Sequence, residues 1–190
     1  MYQKILFLGN SITKHAPAPQ IGWNHDFGMA ASEESKDFVH LIAAAYPQAE
    51  YRIQNLSAWE RAFWEDEVLE HYRELADWGA DLLIVRLGEN SPARTVALHA
   101  FAPAYEKMVD FFLTNPNAKV LLGTMFWNDP VKDEAVKYVG EKRGWPVADL
   151  TAIREDPTNR ALGLFEHKGV AEHPGDKGMQ AIADAFLQLM

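Results

Sequence analysis

Three short segments carry residue types that together can do acyl chemistry. Ser11 lies in Gly9-Asn10-Ser11-Ile12-Thr13, Asn90 in Gly88-Glu89-Asn90-Ser91, and His173 in His173-Pro174-Gly175-Asp176. A serine hydroxyl becomes a useful nucleophile when a base takes its proton, and histidine is the base suited to neutral pH. An asparagine amide can donate to the oxyanion that forms when a carbonyl is attacked. Read singly, each segment has an ordinary explanation. Ser and Thr end strands, Asn favours turns, and Pro-Gly followed by Asp opens a helix. The order of the segments, and the edge on which the elements place them, favour the joint reading.

Those elements alternate along the chain. β-type runs are expected at 4–9, 50–55, 81–87, 119–124 and 146–150. The first, third and fourth are almost continuously apolar, as strands buried on both faces are. Helical spacing fills the intervals: 32–46 with Ser32 as cap, 60–78, 101–113, 131–143 and 176–189 with Asp176 near its start. Strand-then-helix repetition predicts a parallel sheet covered on both faces, an α/β/α sandwich with right-handed crossovers. Ligands bind such sheets beyond the carboxyl ends of the strands. Ser11 and Asn90 follow the first and third strands directly, and His173 precedes the last helix.

Composition bounds the rest. A length of 190 residues suits one domain over 1–190 with one sizeable core. The net charge of −9 comes without a basic patch, which argues against nucleic acid as a partner. Lys132, Lys137, Lys142 and Arg143 are interspersed with acids and read as a solvated helix face. No apolar run is long enough to span a bilayer or serve as a leader, so the expectation is a cytoplasmic chain with no membrane partner. The absence of cysteine excludes disulfides, thiolate metal sites and a cysteine nucleophile. His15, His25 and Asp26 share the long loop 14–31, but their spacing fits no recurrent metal pattern. Neither metal nor cofactor is expected.

With those segments in hand, the sequence resembles the SGNH (GDSL-like) hydrolase family. The family's first block, G-D-S, reads Gly9-Asn10-Ser11. Its third, G-x-N-D, reads Gly88-Glu89-Asn90-Ser91, and its fifth, D-x-x-H-P, reads Val170-Ala171-Glu172-His173-Pro174. The resemblance implies a flavodoxin-like sheet of order 2-1-3-4-5, Ser11 as nucleophile, His173 as base and Asn90 as oxyanion donor. The second-block glycine, whose backbone N–H also donates to the oxyanion, aligns near Glu60 in Asn55-Leu56-Ser57-Ala58-Trp59-Glu60. The Glu60 N–H can take that role if its carboxylate is neutralised, with Arg86 a candidate partner. Asn10 and Gly88 complete the polar surround.

Val170 stands where the family has an acid. A backbone carbonyl, that of Val170 foremost, can orient His173 instead, and Glu172 and Glu166 are the rival carboxylates. Trp23, Trp59 and Trp127 follow strand ends and serve either as substrate platforms, Trp59 and Trp127 above all, or as packing. The implied function is hydrolysis of a small-molecule carboxylic ester, with a small acyl or acetyl group on a carbohydrate preferred. The alternatives are a lipase or thioesterase for longer chains and an inactive binding domain. The oligomeric state is not set by these features.

Overall fold

The computed structural model describes residues 2–190. Its five strands are β1 (Lys4–Gly9), β2 (Glu50–Asn55), β3 (Leu82–Val85), β4 (Lys119–Gly123) and β5 (Val147–Ala148), all parallel in the order β2-β1-β3-β4-β5. That is the order the resemblance implies. The last strand is shorter than expected, because only Val147 and Ala148 pair with β4.

Side-chain alternation along the strands divides the interior. From β1, Ile5 and Phe7 enter one core, while Leu6 and Leu8 enter the other. From β3, Ile84 goes with the first set and Leu83 and Val85 with the second. A sheet apolar on both faces must be covered on both, and helices do so.

The first helix, α1 (Phe38–Ala44), starts later than expected. Ser32 does not cap it. The Asp37 carboxylate accepts from the His40 N–H at 2.8 Å and ends the chain's extended approach. Ser32 instead donates its N–H and Oγ–H to Asp176, both at 2.7 Å.

The apolar spacing over 60–78 predicts one helix, but the chain forms α2 (Ser57–Arg61), α3 (Glu67–Glu70) and α4 (Arg73–Ala76). Aromatic packing decides this break. Phe63 is buried edge-on against Phe101 at 5.1 Å, and Trp64 stacks on His99 at 4.7 Å. Helical spacing gives way to those contacts, next to an unfavourable run of acids, Glu65-Asp66-Glu67.

Further on come α5 (Ala93–Leu98), α6 (Phe101–Phe112), α7 (Pro130–Arg143), α8 (Thr151–Glu155), α9 (Lys168–Ala171) and α10 (Asp176–Leu187). α1 and α10 cover the Phe7 face, and α6 and α7 cover the Leu8 face. No helix among the described residues is long and apolar enough to cross a membrane.

Candidate active site

β1 ends at Gly9, and a tight turn follows. The carbonyl of Asn10 accepts from the N–H groups of both Thr13 and Lys14, at 3.0 and 2.9 Å. Thr13 folds back over the strand end so closely that a Cβ on Gly9 would lie 1.7 Å from its Oγ1. Only glycine fits there. The turn lifts Ser11 to the sheet edge, and the Ser11 carbonyl, accepting from the Met29 N–H at 2.9 Å, ties it to the long loop. The Ser11 N–H has no acceptor among the described residues.

His173 arrives from the opposite end of the chain, between α9 and α10. Its Nε2 lies 2.8 Å from Ser11 Oγ, and its Nδ1 lies 2.7 Å from the Gly169 carbonyl oxygen. A carbonyl can only accept, so Nδ1 carries the proton and Nε2 is left to accept from the serine hydroxyl. Burial holds the imidazole down at about 4, only partly opposed by the Gly169 carbonyl, and the positive charge of Arg86 lowers it further.

The orienting carbonyl is Gly169, not Val170. The Val170 carbonyl accepts the His173 backbone N–H at 3.0 Å, so the ring reaches one residue further back, a full turn along α9. Neither rival carboxylate meets the ring. Glu172 is held 3.0 Å from Arg160, and Glu166 lines a neighbouring trough. Trp127 stands edge-on to His173, ring centres 4.9 Å apart, and its Nε1–H donates to the Glu172 carbonyl at 3.2 Å.

Beneath Ser11 lies a buried polar cluster that sequence reading caught only in part. Asn10 uses both ends of its amide. Its Oδ1 accepts from Arg86 at 2.8 Å, and its Nδ2 donates to Glu60 at 3.1 Å and to Glu89 at 2.6 Å. Arg86 also pairs directly with Glu89. The expected Arg86–Glu60 pair is therefore not made. Burial raises the Glu60 carboxyl above its ordinary value, and the nearby Glu89 charge adds to that, against hydrogen bonds from Asn90, Gly88 and Asn10. Burial also works to raise Glu89, but Arg86 and the hydrogen bonds from Phe126 and Asn10 outweigh it and leave Glu89 below the usual carboxylate range.

Asn90 sits on this cluster. Its Nδ2 donates to Glu60 Oε2 at 2.5 Å, which engages one of its two amide hydrogens. Gly88 donates its N–H to Glu60 Oε1 at 2.6 Å and holds φ at +140°, where a Cβ would strike Met125 Sδ at 2.6 Å. Lys132, read from sequence as a solvated face, is buried and donates to the carbonyls of Gly88 and Ser91 at 2.8 and 3.0 Å. It secures the loop that presents Asn90. A lysine three residues after a helix-capping Asp on a charged helix carries no sequence mark of burial.

Two further expectations are corrected. The Glu60 N–H is already engaged, donating to the Leu56 carbonyl at 3.1 Å, because α2 begins at Ser57, ahead of Glu60. Trp59 is buried against Phe63, Phe101 and Tyr105 and offers no platform, and Trp23 is buried likewise. In the loop 14–31, His25 stacks on Phe27 at 4.9 Å while Asp26 pairs with Lys14 at 3.1 Å.

Ser11, Asn90 and His173 line one cleft of about 250 Å³ at the carboxyl edge of the sheet. The GDSL-like Lipase/Acylhydrolase family model matches residues 7–181. The chain belongs to this family. Solved structures with the same fold include a two-domain esterase (CEX) active on acetylated mannans, 17% identical, with a TM-score of 0.61 over 98% of this chain and 49% of that one. A member of the lipolytic protein G-D-S-L family from Veillonella parvula DSM 2008 is 13% identical, with a TM-score of 0.61 over 99% of this chain and 98% of that one. Salicylyl-acyltransferase SsfX3, from a tetracycline biosynthetic pathway, is 17% identical, with a TM-score of 0.64 over 99% of this chain and 54% of that one. This GDSL-like chain spans about half the length of the first and the third. No curated protein matches the sequence.

Proposed function

We propose that this GDSL-like chain hydrolyses a carboxylic ester through an acyl-enzyme on Ser11. The observation that carries the reading is the 2.8 Å approach of Ser11 Oγ to a His173 Nε2 left free to accept by the Nδ1–Gly169 bond. In this mechanism His173 takes the hydroxyl proton as Ser11 attacks the ester carbonyl. The alcohol leaves with that proton, and water activated by His173 releases the acid. The Ser11 N–H and the second Asn90 amide hydrogen are the donors for the oxyanion. The steps need no cofactor. A dyad suffices, because orientation of the ring comes from the main chain.

A cleft of about 250 Å³ with a polar lining favours a small acyl group such as acetyl. The fold is shared with an esterase active on acetylated mannans, but Trp59 is buried, and Trp127 packs edge-on to His173 without lining the cleft. A second reading, longer acyl chains, is favoured by a trough of about 590 Å³ that shares Ile21 and His167 with the cleft and adds Pro19, Leu164 and Phe165. Hydrolysis of 4-nitrophenyl esters from acetate to decanoate, by wild type and Ser11→Ala, tests both. Wild type is expected to favour the shortest esters, and Ser11→Ala to keep its circular dichroism while losing turnover. Equal turnover in Ser11→Ala overturns the proposal, and a decanoate optimum selects the second reading.

A further inference from the structure

Arg61 closes α2 beside the buried Glu60, and the two side chains go opposite ways. Glu60 descends into the cluster under Ser11, while Arg61 is exposed and lines the cleft with Ser11, Asn90 and His173. Most of the chain's other cations are matched to carboxylates, as Arg73 is to Glu70, Arg154 to Asp133 and Lys177 to Asp156. Arg61 has no such partner among the described residues. Its one side-chain hydrogen bond among the described residues runs from Nη1 to the Ser57 carbonyl at 3.2 Å, within its own helix. A guanidinium has five N–H donors, so most of the fork stays open.

The remaining lining is of the same character. No Asp or Glu lines the cleft among the described residues, although the chain carries nine more acids than bases. Two further imidazoles do, His15 and His167. His167 Nδ1 accepts from the Val170 N–H at 3.4 Å, so in the neutral ring its proton sits on Nε2, a second donor. Of the carboxylates under the floor, Glu89 is paired with Arg86, and Glu60, whose carboxyl burial raises above its ordinary value, bonds to Asn10, Gly88 and Asn90 and not to Arg61. A protein of strong negative charge repels anions over most of its surface. A cation kept unpaired, in a cleft kept free of acids, reverses that locally.

We infer that the cleft takes an ester bearing a carboxylate on its acyl or its alcohol part, with Arg61 as the residue that selects it. A carboxylate fits better than a phosphate, because one planar fork meets one carboxylate edge and no second cation stands beside it. The inference rests on the ester-hydrolase reading for its chemistry, but the anion site can be tested apart from turnover.

Two matched pairs of esters test it. Mono-4-nitrophenyl adipate against its distal amide places the charge on the acyl side, and 4-acetoxybenzoate against 4-acetoxybenzamide places it on the alcohol side. Wild type is expected to favour the anionic member of one pair in kcat/KM. Arg61→Gln is expected to lower that ratio about tenfold, within the range for hydrogen bonds to charged groups, and Arg61→Lys less. Arg52→Gln, which removes an equal charge from a cation lying over Trp78, leaves the ratio where it was. Titration of Ser11→Ala with adipate and with adipamide reads the site without chemistry, and adding Arg61→Gln is expected to weaken adipate alone. Either change supports the inference. If esters turn over while Arg61→Gln alters neither a ratio nor adipate binding, the inference falls and the hydrolase reading stands. If no ester turns over but adipate binding depends on Arg61, the hydrolase reading falls and the anion site stands.

Discussion

Asn10 is the residue at which this chain departs from G-D-S, and its surroundings explain why. Its amide bridges two buried carboxylates, Glu60 and Glu89, while its Oδ1 meets Arg86. An aspartate would bring a third carboxylate against one guanidinium and remove both donors. Asn10→Asp is therefore expected to destabilise the fold by roughly 3–5 kcal/mol, the scale for breaking a buried charged network, read as a lower urea midpoint. Asn90 rests on the same cluster. As an oxyanion donor, its loss in Asn90→Ala is expected to cut kcat a hundredfold to a thousandfold with little change in KM, checked by steady-state kinetics.

His173 sets the pH dependence. In the proposed mechanism the base is the neutral ring, and burial holds its pKa at about 4. Activity is then expected to fall as pH drops through about 4, not through the ordinary histidine value. The unfolded chain takes up this proton at the ordinary value of 6.5 and the folded chain only at about 4, so the fold weakens as pH falls from 6.5 towards 4, and this contribution levels off below that. Glu172→Gln and Glu166→Gln are expected to leave kcat/KM within a few-fold of wild type, since neither acid meets the ring. A loss of orders of magnitude in either variant assigns His173 a carboxylate partner.

At the scale of elements, the long loop after Ser11 is held by one buried carboxylate. Asp37 caps α1 through the His40 N–H and, on its other oxygen, accepts the Gly28 N–H at 2.9 Å. It joins the helix to the segment whose Met29 N–H grips the Ser11 turn. Asp37→Ala removes the cap, worth about 1 kcal/mol, and leaves a buried N–H unpaired, at about 1–3 kcal/mol more. The expected outcome is a loss of roughly 2–4 kcal/mol in denaturant unfolding, with amide exchange accelerating first in 28–31. A further tether just past the loop, Ser32 to Asp176, joins it to the start of α10, just after His173. Ser11 and His173 are thus referenced to the same segment.

Across the whole molecule, one sheet separates two cores, and the last helix bears on the Ser11–His173 pair from a distance. Phe186 of α10 is buried and stacks on Phe38 of α1 at 6.1 Å, and a Cβ at Gly123 of β4 would approach its ring to 2.7 Å. That close approach seats α10 on the sheet, and α10 begins just beyond His173. Phe186→Ala is expected to cost about 3–5 kcal/mol and lower Tm on the order of 10 °C. The residual native protein should lose kcat in excess of its loss of folded fraction, as the seat of His173 loosens.

The sequence by itself determined the class of the sheet, because near-continuous apolar runs at 4–9, 81–87 and 119–124 are satisfied by strands covered on both faces, while the order 2-1-3-4-5 was implied only by the resemblance to the family. It also marked Ser11, Asn90 and His173, since motif and place along the chain coincide at each. Tertiary structure alone decided their surroundings. The orienting carbonyl belongs to Gly169 because the local turn of α9, and no residue type, sets which oxygen the ring reaches. Glu60 reaches Gly88 and Asn90 across 28 and 30 residues, and Arg86 reaches Asn10 across 76, because β1, α2 and the end of β3 converge. Lys132 is buried and 60–78 is broken for the same reason: long-range packing outweighs the weak local preferences of a few residues.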